Sequence, residues 1–385
     1  MRIAYLSTFY PFRGGIAQFN ASLYREFEKY LSGQTDIRDK SNEIKAFTFT
    51  RQYPGFLFPG KTQYVTNDEQ ADQVPSLPLL DSINPLTYYK TARRIKAFDP
   101  DLLIMKYWMS FFGPSLGSVA KLMPKHTKVI TILDNVIPHE KRFFDHAFTR
   151  YFLKQNSGFV AMSDKVKNDL ISLSPDAKYI KREHPLYDHF GQKIDQTEAR
   201  QKLKLFPNKK TLLFFGFIRD YKGLDVLIKA FDLLDDSYQL VIAGETYGSF
   251  DKYQQLIDSI KKKNQVFVFN DYISDSEVPL FFSAASVCVL PYKSATQSGI
   301  TSIAYHFDLP LIATDVGGLK ESIRHLQTGV IVDICEPEPV AKAINEYFTR
   351  QLAGIFIPGI QKLKEELSWK KFANAILEFA EKLPA

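Results

Sequence analysis

Short apolar runs alternate with amphipathic stretches along the whole chain. In the first half the runs are RIAYLS, EIKAFTFT, DLLIMKY, KVITIL and GFVAMS. In the second half they are TLLFFGF, YQLVIAG, VFVFN, SVCVLP, PLIAT and GVIVD. Such short runs, rich in Ile, Val, Leu and Phe, are what a strand buried on both faces of a parallel sheet requires. Helical spacing occupies 17–31, 87–97, 114–123, 163–173, 224–234, 250–262, 299–307 and 318–325. Strands that alternate with helices build parallel α/β sheets. The pattern predicts two doubly wound α/β domains, 1–190 and 191–367. The break falls in HPLYDHFGQKIDQTEARQKL, and the alternation restarts at Thr211. Segment 51–86, rich in Pro and aromatic residues, is expected to be an irregular excursion. At 368–385, Trp369, Phe372, Ala373, Ile376, Leu377, Phe379 and Ala380 form the apolar stripe of a terminal helix.

Composition narrows the class. The 385 residues exceed one ordinary core. Hydrophobic content of 45% with 24% charged residues is that of a globular protein. No run of about 18 uncharged apolar residues exists, so no membrane span is expected. MRIAYLSTFYPF lacks the long apolar core of a leader and reads as a first strand. Cys288 and Cys335 are too few for a disulfide framework, which fits a reducing cytoplasm. The net charge of +6 is uneven. Residues 1–190 carry 26 Lys and Arg against 19 Asp and Glu, and residues 191–385 carry 23 against 24. A basic first half suits, first, a solvated surface that mildly steers anionic substrates and, second, peripheral contact with the anionic inner face of a membrane. No run of five cations and no nucleic-acid motif is present, so nucleic acid is not an expected partner.

Candidate chemistry sits just after the strands, where doubly wound sheets bind ligands. In STFYPFRGGIAQF, Gly14 and Gly15 open a helix whose free N–H groups suit phosphate, although a plain turn has the same signature. The spacing is not that of a dinucleotide fingerprint. In LLFFGFIRDYKGLDV, a strand ends at Gly216 and the loop carries Arg219 and Lys222, two cations suited to a diphosphate. In LVIAGETYGSF, Gly244 precedes Glu245, which can accept from a ligand hydroxyl or serve only the turn. Tyr272 and Ile273 precede a helix start marked by Ser274 or Asp275 with Glu277, and their backbone can pair with a flat base. After SVCVLP, the backbone of Gln297, Ser298, Gly299 and Ile300 opens another helix and again offers N–H groups. Lys106, Tyr107 and Trp108 end the strand DLLIM. The two aromatics can stack on a sugar or acceptor, or pack in the core.

The motifs GGIAQ, GxxRxxKG, LVIAGE, DYISDSEVP, LPY…SG, PLIATDVGGLKESI and TGVIVD, in that order, cover nearly the whole chain. Together they resemble the retaining nucleotide-sugar glycosyltransferases of family 4, with the GT-B fold. The resemblance implies two Rossmann-like domains facing each other across a cleft. It implies an acceptor on the first, completed by the helix at 368–385, and a donor held mostly by the second. No metal or other cofactor is implied, because cations and helix dipoles offset the diphosphate. Lys222 matches the family's lysine directly. The family's arginine position is Phe217 here, with Arg219 two residues on.

Other positions depart from the family. Its two glutamates, counted back from Pro310, fall on Ala295 and Ile303. The backbone of Gln297–Ile300 can take the phosphate role of the first. A ribose contact cannot pass to Ile303, which leaves Glu321 and Glu245 as candidates. Where relatives place a histidine beside the sugar, this chain has Leu133 and Asp134, then His139 and Glu140 after Pro138. In this mechanism class the departing phosphate takes the acceptor proton, so Asp134 is expected to orient a sugar hydroxyl. His139 is expected to bond the sugar or acceptor, and Glu140 to meet the acceptor. His184 and Tyr187 fall where the family's hinge begins. The expected activity is transfer of a hexosyl group from a UDP- or GDP-sugar to an acceptor hydroxyl of a surface polysaccharide or glycolipid. A noncatalytic donor-binding subunit and a nucleotide-sugar epimerase are the alternatives.

Overall fold

The computed structural model describes residues 1–33, 42–53, 63–65, 72–137, 143–187, 190–246, 248–295 and 298–384. The chain forms two units, Met1–Pro185 with Ser368–Ala385, and Leu186–Leu367. The division precedes the expected boundary at 190. Leu186, Tyr187 and Phe190 pack into a core of the second unit.

The first unit has strands β1 (Arg2–Leu6), β2 (Glu43–Arg51), β3 (Ser76–Asp81), β4 (Leu102–Tyr107), β5 (Lys128–Leu133), β6 (Gly158–Ala161) and β7 (Tyr179–Lys181). They form one parallel sheet in the order β3-β2-β1-β4-β5-β6-β7. Its helices are α1 (Gly15–Gly33), α2 (Pro85–Phe98), α3 (Gly113–Lys121), α4 (Asp145–Leu153) and α5 (Asp164–Leu173). Side chains alternate across a strand, so β1 feeds two cores. Ala4 and Leu6 enter one, with Leu103, Met105 and Phe152. Ile3 and Tyr5 enter the other, with Phe19, Phe27 and the stripe of the last helix, Trp369–Lys382.

The strand β3 corrects the expectation of irregular chain over 51–86. Ser76–Asp81 pairs with β2 in parallel, with register shifts between Thr48 and Phe49 and between Phe49 and Arg51. Its Pro78 is tolerated because the strand lies at the sheet edge, where a missing N–H breaks no second ladder.

The second unit has strands β8 (Lys210–Phe215), β9 (Tyr238–Ala243), β10 (Val266–Phe269), β11 (Val287–Leu290), β12 (Leu311–Thr314) and β13 (Gly329–Val332). They form a parallel sheet in the order β10-β9-β8-β11-β12-β13. Its helices are α6 (Gln196–Lys202), α7 (Leu224–Asp232), α8 (Asp251–Ser259), α9 (Val278–Ala284), α10 (Gly299–His306), α11 (Leu319–Ser322), α12 (Pro337–Thr349) and α13 (Ala353–Glu366); the last helix of the chain is α14. Again the strand residues split. Leu212 and Phe214 pack with α7 and α12, and Leu213 and Phe215 pack with α9 and α10.

In each sheet the order reverses once, between β1 and β4 and between β8 and β11. Loops leaving the two strands at such a point diverge and open a crevice at the C-terminal edge. No described helix is long and apolar enough to cross a membrane.

Candidate functional site

The second unit builds its crevice largely from backbone. After β8, Gly216 has φ +94, and a Cβ at Gly244 (φ +137) would collide with the Gly216 carbonyl. The ladder continues past the strand ends, with Gly216 N–H donating to Ala243 O and Ile218 N–H to Glu245 O, both 2.9 Å. Lys222 ends a single turn over Asp220–Lys222, and Gly223 (φ +67) starts α7. A Cβ on Gly223 would overlap the Pro291 carbonyl, so the loops after β8 and β11 are pressed together. Lys293 N–H seals them by donating to Tyr221 O at 2.7 Å. Its ammonium pairs with Asp225 at 2.9 Å.

This packing turns Lys222 back over Gly216. A Cβ on Gly216 would lie 3.3 Å from Lys222 Nζ and 3.1 Å from Ile300 Cδ1. The ammonium and the Ile300 side chain, from the first turn of α10, therefore converge on one point. Lys222 is buried, and that burial, helped by the charge of Arg219, pulls its pKa down to about 8. Its Nζ lies 5.7 Å from the centre of the buried Tyr292 ring. The Tyr292 hydroxyl is 3.2 Å from Ser298 Oγ, at the start of α10. Among the described residues no carboxylate pairs with Lys222. Ser298 has no side-chain cap bond, and a Cβ at Gly299 would meet open space. The first N–H groups of α10 are of the kind an anion can meet.

The other expected residues of this unit are placed as follows. Arg219 and Glu245 are exposed on their loops. Tyr272 is exposed, and Ile273 is half-buried against the core. Ser274 bonds Glu277 through its N–H at 3.1 Å and its hydroxyl at 2.6 Å. Ile303 packs against the core from α10, and Glu321 is exposed on α11. Gln297 lies outside the described residues.

The first unit builds its crevice from side chains. Tyr5 donates to Asn20 Oδ1 at 2.7 Å, and Asn20 Nδ2 donates to Ser7 Oγ at 2.8 Å and Thr8 O at 2.9 Å. Gly14 (φ +103) and Gly15 lead into α1 with open space above them. Lys106, 1% exposed, puts Nζ 2.8 Å from Asp134 Oδ1, off the line of a good hydrogen bond. The same Nζ lies 3.3 Å from the centre of the Phe19 ring. Burial lowers the Lys106 pKa, and Asp134 works against that shift. His184 stacks edge-on to Phe19 at 5.0 Å and Trp369 at 6.1 Å. Burial, then the Lys106 charge, lowers the pKa of its imidazole and favours the neutral ring.

Two expectations fail here. Tyr107 is wholly buried, stacked on Phe152 at 4.4 Å with its hydroxyl 2.9 Å from Thr149 Oγ1. Trp108 is buried among Phe49 and Phe112 and donates to Tyr53 Oη at 2.8 Å. Both are core residues: Tyr107 ends a strand covered on each side, and Trp108, just after it, packs into the same core. His139 and Glu140 lie outside the described residues. Lys106 is the residue that the motif reading passed over. Its signal was a cation inside the otherwise apolar run LLIMKYW.

Residues 195–358 match the family model of glycosyl transferases group 1. A D-inositol 3-phosphate glycosyltransferase of Pseudarthrobacter chlorophenolicus is 32% identical over 143 residues, 36% of this chain and 34% of that protein. YtcC of Bacillus subtilis, a glycosyltransferase by name, is 25% identical over 79% of this chain and 76% of its own. The chain's match thus spans about a third of the first relative and three quarters of the second. Among solved structures, Anabaena Alr3699/HepE in complex with UDP is similar over the full length of both chains, with TM-score 0.66 and 15% identity. A glycosyltransferase from Rickettsia africae is similar over 99% of this chain and 98% of its own, with TM-score 0.69 and 17% identity. At these identities the likeness shows the shared fold.

Proposed function

We propose that this chain, a GT-B protein carrying a group 1 glycosyltransferase domain, moves a hexosyl group from a UDP- or GDP-sugar to an acceptor hydroxyl with retention at the anomeric carbon. One observation carries the reading: the desolvated ammonium of Lys222 and the side chain of Ile300, from the first turn of α10, lie together over Gly216, and among the described residues no carboxylate pairs with that ammonium. A diphosphate supplies the missing negative charge. The names of the relatives support a sugar transferase. The Anabaena structures with UDP and with UDP-glucose support a nucleotide sugar.

In this reading the diphosphate lies over Gly216, met by Lys222, Arg219 and the N–H groups of Ser298, Gly299 and Ile300, and Gln297 is proposed to contribute to donor binding. Tyr272 and Ile273 face the base, and Gly244 lets Glu245 meet a hydroxyl. As the bond from C1 to the phosphate oxygen breaks, charge grows on the diphosphate, and fixed cations stabilise it. The acceptor oxygen bonds C1 on the same face, and its proton passes to the departing phosphate. Gly14 and Gly15 let backbone approach the ligand. Asp134 orients a sugar hydroxyl, and His139 and Glu140 act on the sugar or acceptor. The protein's share is positioning and electrostatics. Surface polysaccharide or glycolipid synthesis at the cytoplasmic face is the proposed setting, and no metal takes part.

The test is a panel of UDP- and GDP-sugars read by thermal shift and by product analysis. A matching donor raises Tm by mass action, and its sugar appears on the acceptor with the donor's anomeric configuration, unchanged by EDTA. If no donor is bound or turned over, the proposal fails. An isomerised nucleotide sugar formed without acceptor would replace it with epimerisation.

A further inference from the structure

We infer that the outer face of α2 docks the first unit onto an anionic lipid bilayer. The helix repeats every 3.6 residues. Tyr88, Thr91, Ala92, Ile95 and Phe98 therefore form its buried side. Leu86, Tyr89, Lys90, Arg93 and Ala97 fall on the opposite, exposed side, flanked by Arg94 and Lys96. Leu86 is 80% exposed, Tyr89 64% and, just ahead of the helix, Ile83 45%. A single exposed leucine is ordinary. Three large apolar residues within seven positions, at one end of a helix, form a patch.

The rest of that face is basic. The helix carries Lys90, Arg93, Arg94 and Lys96 and no carboxylate. Among the described residues none of the four is ion-paired. Of the nearby acids, Asp81 pairs with Arg51, and Asp99 lies 3.1 Å from the His126 ring. In α1, by contrast, Arg25 pairs with Glu28 and Lys29 with Glu26. An apolar and aromatic tip beside unpaired cations is the composition of a helix lying in a bilayer interface. The apolar side chains enter the headgroup boundary and the cations meet lipid phosphates. Nucleic acid would use the cations and leave Ile83 and Leu86 in water, so the bilayer is the better match.

Topology adds a reason. The helix starts four residues after β3 ends at Asp81, so its apolar tip lies at the C-terminal edge of the sheet. Lys106 and Asp134 stand at that same edge, at the ends of β4 and β5. A bilayer bound by this tip lies along the edge that carries the first unit's polar crevice. This inference concerns lipid chemistry alone and stands or falls apart from the transferase reading.

The experiment is flotation of the full chain with vesicles of phosphatidylcholine alone or with about a third phosphatidylglycerol. The wild type is expected to float with the anionic vesicles only, and to be released in high salt as screening shortens. K90Q/R93Q/R94Q is expected to weaken the partition about a hundredfold, from about fivefold per cation. L86S/Y89S is expected to weaken it about tenfold. All five positions are exposed, so Tm stays unchanged and certifies the fold. K121Q/K125Q, at and just after the end of α3 rather than on α2, keeps full binding. The inference is overturned if the wild type does not float, floats equally with neutral vesicles, or binds a short single-stranded DNA in preference to them. It is also overturned if the α2 variants float like the wild type, or if K121Q/K125Q loses binding to the same extent as they do.

Discussion

At the end of β4, Lys106 is buried against Asp134 and the face of Phe19. After β8, Lys222 is buried beside Tyr292 and Ile300 with no carboxylate among the described residues. Burial lowers both pKa values, but the second influence differs. Asp134 restores part of the Lys106 charge, whereas Arg219 erodes that of Lys222 further. A paired buried cation is already committed, and its removal strands its partner. An unpaired one is left for an anion that comes from outside. The two crevices therefore hold the same residue type in different settings, one cation fixed by a carboxylate and the other, in the function proposed above, set to receive a diphosphate.

The largest test of that difference is Lys222→Ala. We expect kcat/KM for sugar transfer to fall by about 10²–10³-fold, with Tm unchanged or slightly raised because a desolvated lone charge is gone. Turnover near wild type would break the comparison. Next is Asp134→Asn, which leaves Lys106 buried without its counter-charge. Denaturant unfolding should show a loss of about 3 kcal/mol. Lys106→Met alone should cost about 1 kcal/mol, since Asp134 is 21% exposed and still reaches water. The double variant should recover most of the loss, and additive costs would mean that the two residues do not act as a pair.

Gly223→Ala tests the close approach of the two second-unit loops. Its positive φ and the collision with Pro291 O should cost about 2 kcal/mol in chemical denaturation. The smallest effect is in pH. Lys222 is charged below a pKa of about 8 and loses its proton as pH rises through it. Donor affinity should be full near pH 7 and fall above pH 8, by at most about tenfold per unit. Isothermal titration of a nucleotide diphosphate from pH 7 to 9 reads this. Lys222→Arg, charged throughout, should flatten the slope.

Much of the fold was legible in periodicity. The runs KVITIL and GVIVD sit where strands lie, give or take a residue, and the stripe from Trp369 to Ala380 is a helix. What failed had a reason in composition or context. Ser76–Asp81 was hidden by Pro78, which only an edge position excuses. Tyr107 and Trp108 looked like ligand platforms because aromatic residues at a strand end serve either purpose, and only burial distinguishes them. In the second unit, the chemistry-bearing loops were marked by glycines. In the first, Lys106 had no such marker, and its partner Asp134 lies 28 positions later.

That two parallel sheets form, and that Gly216, Lys222 and the start of α10 follow strands, could be read along the chain. Alternation and glycine positions are local properties. Packing, by contrast, puts Lys222 and Ile300 together above Gly216 and brings Lys106 to Asp134 and Phe19. Those contacts depend on strand order, which reverses at β1/β4 and β8/β11 and brings together segments far apart in the chain. The same is true of the lowered Lys222 pKa. Burial creates it, and burial is a property of the packed sheet and its loops.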